Sequence, residues 1–318
     1  MEHYTESEES NYVVPEAMAH LQQDEVKLAL KVQGTLKYSL VGSLRQRGFT
    51  EIPPVIISPL TDPLNHPVHD PSMECYGGRM WLTKSMIFHK QLAVQAMKKI
   101  FIVSPNIRLE TSDKALSGRH LYEFTQVDVE VLRWSREKSM DLAEELIIEA
   151  MGTVREELGK ELKAAGREVP VILKRFKRIT YRDAEREYGD DFERLISLES
   201  TQPVWIIDIP LNAREFYDRE SDHHPGILRD MDLIWPEGYQ EALSGGEREY
   251  ELKRILARIS KKRQDPESFR WFLDAAKTGL QPSSGFGIGV ERFTRYVCGL
   301  DHISKTTAFP KVPGKVSL

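Results

Sequence analysis

Phe124-Thr125-Gln126-Val127-Asp128-Val129-Glu130-Val131 alternates without a break. Successive side chains of a strand point to opposite faces, so Thr125, Val127, Val129 and Val131 share one face and Phe124, Gln126, Asp128 and Glu130 the other. The first face predicts contact with a core. The second predicts either a solvated surface or the floor of a ligand site. Immediately upstream, Met80-Trp81-Leu82, Ile100 to Val103 and Ile107 to Glu110 read as short strands. Arg108 and Glu110 lie two apart and project from one strand face. Pairing across the 111–119 loop would gather Arg108, Glu110, Phe124, Gln126 and Asp128 on one sheet surface. That set suits a polyanionic, ring-containing ligand, with arginine for phosphate and phenylalanine for stacking.

Farther out, Leu28, Val32, Leu36, Leu40 and Leu44 recur every fourth residue and predict a helix that begins near Asp24. Gly48 stands where a helix-stopping glycine belongs. Glu51 to Ile57 holds two adjacent prolines and reads as extended chain, followed by a loop from Ser58 to Gly78. Downstream, a helical block is expected from about Lys138 to Ala165. Strands follow at Trp205 to Ile209 and Met231 to Trp235, with Tyr239 to Leu243 a partner for the latter. Helices near 247–262 and 267–277 precede a glycine-spaced segment at 285–289. Strands joined by short turns and loops predict an α+β fold built on an antiparallel sheet flanked by helices.

The chain has 318 residues, 40% apolar, enough for one large domain. A net charge of -5 argues against a protein built mainly to coat nucleic acid. Cys75 and Cys298 are the only cysteines and make neither a disulfide framework nor a zinc site. No apolar run approaches a membrane span, and residues 1–25 carry seven carboxylates and no Lys or Arg. A cytoplasmic protein is expected, with an acidic, disordered tail over 1–23 and a catalytic domain over 24–318.

Two further clusters carry chemistry. In the cluster of Asp232, Glu241, Ser244, Gly245, Gly246 and Arg248, the carboxylates Glu241 and Asp232 could hold magnesium, which takes one or two carboxylates plus substrate phosphates. Gly245 and Gly246 would let a ligand approach the backbone, and Arg248 would grip a carboxylate with both arms. The bland alternative is ordinary capping and surface charge. Gly285-Phe286-Gly287-Ile288-Gly289-Val290-Glu291-Arg292 lacks the strand, helix and acidic residue of a dinucleotide fingerprint. Its alternative reading is a strand whose glycines permit close packing.

Taken in order, these clusters resemble the three signature motifs of class II aminoacyl-tRNA synthetases. Arg47-Gly48-Phe49-Thr50-Glu51-Ile52-Pro53-Pro54 looks like the first, which builds a dimer interface in that family. Asn106-Ile107-Arg108-Leu109-Glu110 with Gly118-Arg119-His120-Leu121-Tyr122-Glu123-Phe124-Thr125-Gln126-Val127-Asp128 looks like the second, and Gly285 to Arg292 like the third. The similarity runs from about Asp24 to the C-terminus and is strongest to the aspartyl/asparaginyl subgroup. It implies a homodimer that uses ATP and Mg2+, the metal organised by Asp232, Glu241 and Ser244. Arg108 would contact the α-phosphate, and His120 and Arg292 the outer phosphates. Adenine would lie between Phe124 and Arg292 with Glu110 near its edge. Arg108 and Arg292 would therefore be the catalytic pair.

Thr83-Lys84-Ser85-Met86-Ile87-Phe88-His89-Lys90-Gln91 resembles the amino-acid-binding segment of the same family. Aspartyl enzymes carry a lysine at the position of Lys90. The resemblance implies that Ser85, Lys90, Gln126, Asp128 and Arg248 bind aspartate, in a cationic pocket suited to a dicarboxylate. Met86 and Ile87 depart from the aspartyl pattern of Pro and Gln. About 23 residues precede the first core helix, whereas the anticodon-reading β-barrel of those enzymes needs roughly a hundred. A core of this kind is similar to the archaeal asparagine synthetase-related proteins, which implies ligation of aspartate and ammonia through aspartyl-adenylate. AMP and pyrophosphate would be released, tRNA and membrane would not be required, and a carboxylate such as Glu123 or Glu130 would deprotonate ammonium. The alternatives are aminoacylation of tRNA or protein in the manner of aspartyl- or asparaginyl-tRNA synthetases, and a non-catalytic paralogue that binds aspartate or a nucleotide.

Overall fold

The computed structural model describes residues 15–315. Its frame is an eight-stranded sheet in the spatial order Thr50–Glu51, Lys99–Ile107, Glu123–Leu132, Ser283–Gly289, Gln240–Glu247, Asp230–Trp235, Val204–Ile207, Lys177–Thr180. The six inner strands are mutually antiparallel. The expected α+β architecture therefore forms, with one addition: each edge strand pairs in parallel with its neighbour. A parallel pair needs a crossover. The segment holding the helix Ile87–Met97 supplies it at one edge, and the helices Tyr181–Tyr188 and Phe192–Glu199 at the other.

Alternation in the Glu123–Leu132 strand sorts the two faces. Val127, Val129 and Val131 join the largest core cluster, packed with Leu36, Leu40 and Leu44 of the helix Asp24–Gln46, Ile147 of the helix Arg136–Ala164, and Phe293 of the helix Val290–Cys298. Leu28 reaches only the margin of that core, whereas Val26 and Ala29 are fully buried. A four-residue repeat gains on the 3.6-residue turn, so the buried stripe has rotated by the helix start. Gly48 closes the helix at φ +75°, a conformation in which glycine carries no Cβ penalty.

The short strands expected at 100–103 and 107–110 differ from what forms. Lys99–Ile107 is one strand, paired in the register Asn106↔Phe124, Ser104↔Gln126 and Ile102↔Asp128. Pro105 sits within it, beyond the reach of the short edge strand Thr50–Glu51, where no ladder donor is required. Arg108 lies one step past the strand, its backbone N–H bonded to Tyr122 O at 2.8 Å. Leu109–Glu110 leaves the sheet to pair with Val68–His69.

Of the tail expected over 1–23, residues 1–14 lie outside the described residues. The remainder does not follow that expectation. Ala17–Gln22 is helical, and His20 is buried, its Nε2 lying 2.9 Å from Thr307 O. Among the described residues no helix is long and apolar enough to cross a membrane.

Candidate functional site

The face of the sheet opposite the main core carries the polar half of each alternating strand. In Glu123–Leu132 this places Gln126, Asp128 and Glu130 side by side, and the last two are 2% and 0% exposed. Such carboxylates must be paired. Lys90, from the helix Ile87–Met97, donates to Asp128 Oδ1 at 2.6 Å. Arg248 donates through Nε and Nη2 to the Glu130 carboxylate at 3.2–3.3 Å, and through Nη1 to Asp218 Oδ1 at 3.4 Å. Ser283 adds its hydroxyl to Glu130 at 2.7 Å.

Glycine makes room for these groups. A Cβ on Gly287 would stand 2.9 Å from both Asp128 Oδ1 and Gln126 Nε2, and one on Gly246 would meet the backbone of Asp230 at 2.9 Å. The glycine spacing thus serves close approach between the strands and the charged side chains that cross them.

Two cavities open on this face and meet. The first, of about 220 Å³, is lined by Ser85, Lys90, Asp128, Arg248 and Ser244 together with Asp62, Arg214, Tyr217, Asp218 and Asp230. The second, of about 310 Å³, is lined by Glu110, His120, Phe124 and Arg292 with Arg119 and Glu193. His66, Arg108, Gln126, Glu241 and Gly287 line both. The structure therefore gathers every site residue expected from sequence except Asp232, which lies beneath the surface, 9% exposed, opposite Ser244 in the strand register.

Several details differ from expectation. The cation over the Phe124 ring is Arg108, 5.2 Å from its centroid, while Arg292 Nη1 pairs with Glu241 Oε1 at 2.9 Å. Arg108 is held by Nε donating to Lys84 O at 3.1 Å. Glu110 lies 3.2 Å from His66 Nε2. The expected cationic pocket is not found, because Lys90 and Arg248 are already matched by three buried carboxylates, Asp128, Glu130 and Asp218. Glu130 is fully buried on Arg248, and Glu123 pairs with Lys311 at 2.8 Å, so neither stands free as a base.

The second cavity is electropositive. Burial opposes ionisation of Glu241, yet Arg292, Arg119, Arg214 and Arg108 outweigh it and hold the carboxyl down to about 2. Burial, with Arg292 and Arg119, pushes His120 down to about 3. Ser117 gives its one hydroxyl proton to Lys114 O at 2.7 Å, so His120 Nδ1 donates to Ser117 Oγ at 2.6 Å and Nε2 is left an acceptor. Contact with a phosphate oxygen then requires His120 to take up a proton. Arg119 Nη1 is buried without a partner.

Asp232 pairs with Arg214 through one oxygen, while Oδ1 is buried without a hydrogen-bond partner. With Glu241 and Ser244 this donor set fits a hard divalent cation whose other ligands are phosphate oxygens and water. Among the described residues no group of three or more His, Cys, Asp or Glu is arranged to hold a metal by itself.

Sequence reasoning missed Arg119, Glu193, His66, Arg214, Tyr217, Asp218 and Asp230. Two of them carried a signal: Arg119 adjoins His120, and Asp230 shares a strand face with Asp232 by period two. Glu193 lies on a helix within 166–203, a stretch given no element, and burial next to Glu241 and Asp232 pushes its carboxyl up to about 7.

The chain is 30% identical over 256 residues to an asparagine--tRNA ligase of Pelotomaculum thermopropionicum, covering 76% of this chain and 59% of that relative. It is 28% identical over 318 residues to that of Thermococcus gammatolerans, covering 93% and 72%. Among solved structures, asparaginyl-tRNA synthetase from Pyrococcus horikoshii complexed with asparaginyl-adenylate superimposes with a TM-score of 0.85 at 26% identity, over 94% of this chain and 72% of that one. The chain thus spans less than two thirds of the first of these relatives. These matches overturn the expectation of an aspartate–ammonia ligase: relatives aligned along most of the chain are named for ligation to tRNA, not for synthesis of free asparagine. The expectations of ammonia as substrate and of tRNA being dispensable fall with it. The model of the family described as tRNA synthetases class II (D, K and N) matches residues 10–313, and the chain belongs to that family.

Proposed function

We propose that this chain activates asparagine with ATP as asparaginyl-adenylate and transfers the acyl group to tRNA. The observation that carries the reading is the junction of two cavities at Arg108, Gln126, Glu241 and Gly287. An adenylate has this shape: an amino acid on one side of a phosphate, and a nucleoside on the other. Arg108, at the junction, would face the α-phosphate as the carboxylate attacks in line and pyrophosphate leaves. A terminal ribose hydroxyl of tRNA would then attack the acyl carbon, and AMP would depart. Mg2+ on Glu241, with Asp232 and Ser244 around it, would neutralise phosphate charge.

Charge in the first cavity supports the amide over the acid. Asp62, Asp128, Glu215, Asp218, Asp230 and Glu241 line it against Lys90, Arg108, Arg214 and Arg248, and Asp128 Oδ2 is buried without a donor. The side-chain amide of asparagine offers that donor. A second reading, aspartate, is favoured by one observation, the ammonium of Lys90 in the cavity wall. Pairing as a homodimer through the 47–54 segment, and a catalytic domain over 24–318 in the cytoplasm, belong to the same proposal.

The test is amino-acid-dependent ATP–pyrophosphate exchange with asparagine and with aspartate, followed by charging of tRNA. Asparagine is expected to support both. Exchange with aspartate alone would replace the substrate, and exchange without charging would remove tRNA as the acceptor.

A further inference from the structure

Behind the wall of the amino-acid cavity that carries Glu215 lies the helix Leu252–Lys261. Its Ile255 and Ile259 share a core cluster with Phe216. Arg258 donates to the carbonyls of Glu215 and Asp218, so both ends of that segment are held. Past the helix end, Lys262 Nζ donates to Glu215 Oε1 at 3.0 Å, and Gln264 Nε2 donates to Oε2 at 3.0 Å. Both oxygens of a carboxylate that is 4% exposed are thus taken from behind. This pairing differs from the others in the cavity. Asp128, Asp218 and Asp230 pair with Lys90, Arg248 and Arg214, which line the same cavity, and Glu241 pairs with Arg292 of the second. Glu215 takes its cation from Lys262, which lines neither. Lys84 feels the charge of Glu215 only beyond ion-pair distance.

We propose that Lys262 sets the charge preference of the amino-acid cavity from outside it, by compensating Glu215, and is therefore a specificity-determining residue. The inference rests on the reading of this cavity as an amino-acid site. Charges in a partly buried site are weakly screened, so an unmatched carboxylate in the wall acts on whatever charge the ligand brings. Asparagine and aspartate share an ammonium and a main-chain carboxylate, and those contributions cancel when the two are compared. They differ by one side-chain charge. With Lys262 in place, Glu215 and its partner form a neutral unit. Without it, one negative charge remains in the wall, opposing the aspartate side chain while leaving the neutral amide nearly untouched. Removing Glu215 instead leaves the Lys262 ammonium unmatched and acts in the opposite sense. Lys262 is itself 24% exposed, so the substitution that tests this touches the surface and not the core.

The experiment compares kcat/KM for asparagine and for aspartate in ATP–pyrophosphate exchange by the full chain at about pH 8, above the ordinary carboxylate range. Lys262→Met is expected to raise the preference for asparagine over aspartate about tenfold, Glu215→Gln to lower it, and the double variant to return within about threefold of wild type. Lys262→Arg keeps the charge and should keep the wild-type preference. Gln264→Leu removes a neutral donor from the same carboxylate and should leave the preference within about twofold, whereas a merely structural grip would make it act like Lys262→Met. The KM for ATP is expected to stay unchanged in Lys262→Met. An unaltered preference in Lys262→Met, a double variant no nearer to wild type than either single one, a change in Gln264→Leu equal to that in Lys262→Met, or a parallel rise in the KM for ATP would each overturn the proposal. A wild type that prefers aspartate would replace the proposed substrate but not the direction of these shifts. If neither amino acid supports exchange, the activation reading falls, and calorimetric binding of the two amino acids to the same preparations carries the same comparison. Binding of neither would overturn both.

Discussion

Lys90 and Asp128 show how a single pair serves both fold and site. Both are nearly fully buried, 2.6 Å apart, on a helix and a strand that meet nowhere else through charge. Removing one partner leaves the other charge stranded in a poorly solvated interior, which costs roughly 3–5 kcal/mol, whereas replacing both is far milder. Lys90→Met is therefore expected to lower unfolding free energy by about that amount in urea titrations, and the double variant with Asp128→Asn to recover most of it. Equal stability of the single variant and wild type would show that water reaches the pair. Glu291 makes a different claim. Burial outweighs the hydrogen bond from Thr125 N–H and pushes its carboxyl up from 4.5 to about 7. A raised folded value means that the folded chain retains a proton the unfolded chain has lost. Its contribution to stability is intact below about pH 4.5 and disappears as pH rises through about 7, a span worth about 3 kcal/mol. Glu193 acts in the same direction, so the difference between wild type and Glu291→Gln isolates the single group. The variant is expected to show a flatter dependence of the urea midpoint on pH between 5 and 8, and the greater stability at the upper end.

At the scale of elements, the strand Ser283–Gly289 separates packing from function. A Cβ on Gly285 would meet Val129 O at 2.0 Å, a backbone atom fixed in the sheet, whereas one on Gly287 would meet the ends of Asp128 and Gln126. Gly285→Ala is expected to destabilise the sheet by about 3 kcal/mol or more in denaturant titrations. Gly287→Ala should fold, because side chains can give way, yet displace two groups of the amino-acid cavity and lower exchange about a hundredfold. Similar effects of the two substitutions would contradict this division. The same strand explains what was legible in the sequence. Period-two alternation at 124–131 and glycine spacing at 285–289 are local patterns, and each marked a strand and the residues on its site face. The segment 166–203 carries no such pattern. Tyr181–Tyr188 is short and highly polar, with Ala184 its one buried residue, and Lys177–Thr180 gains its place only by pairing with the distant Val204–Ile207. Glu193 was hidden for that reason. Arg214 and Asp218, in the irregular segment between Ile207 and Asp230, had no periodicity to reveal them, and only the fold brings them under the amino-acid cavity. The cationic pocket failed for a related reason: Lys90 and Arg248 are visible as cations in sequence, but their partners Glu130 and Asp218 are set by tertiary contact.

The whole molecule is needed to build one ligand-shaped space, since its walls run from Asp62 to Ile303 in sequence and belong to both halves of the sheet. A ligand that fills both cavities thus ties Arg108, one step past the strand Lys99–Ile107, and the strand Gln240–Glu247 to each other across the central pair. Binding to the folded state alone adds RT ln(1 + [L]/Kd) to stability, about 2.7 kcal/mol at a hundredfold excess over Kd. On the proposed reading, asparagine and ATP would each fill one cavity. A non-hydrolysable asparaginyl-adenylate analogue would then fill both and spare the cost of bringing the two together. At equal concentration the analogue is expected to raise the denaturation midpoint by more than the two separate ligands combined. The aspartyl analogue should raise it less, because its second carboxylate would enter a cavity where Asp62, Asp128, Glu215, Asp218, Asp230 and Glu241 already outnumber Lys90, Arg108, Arg214 and Arg248. A larger shift with the aspartyl analogue would assign that cavity to the acid and make Lys90, not Asp128, the group that selects the substrate. A shift with ATP that neither analogue exceeds would mean that the two cavities do not act as one site.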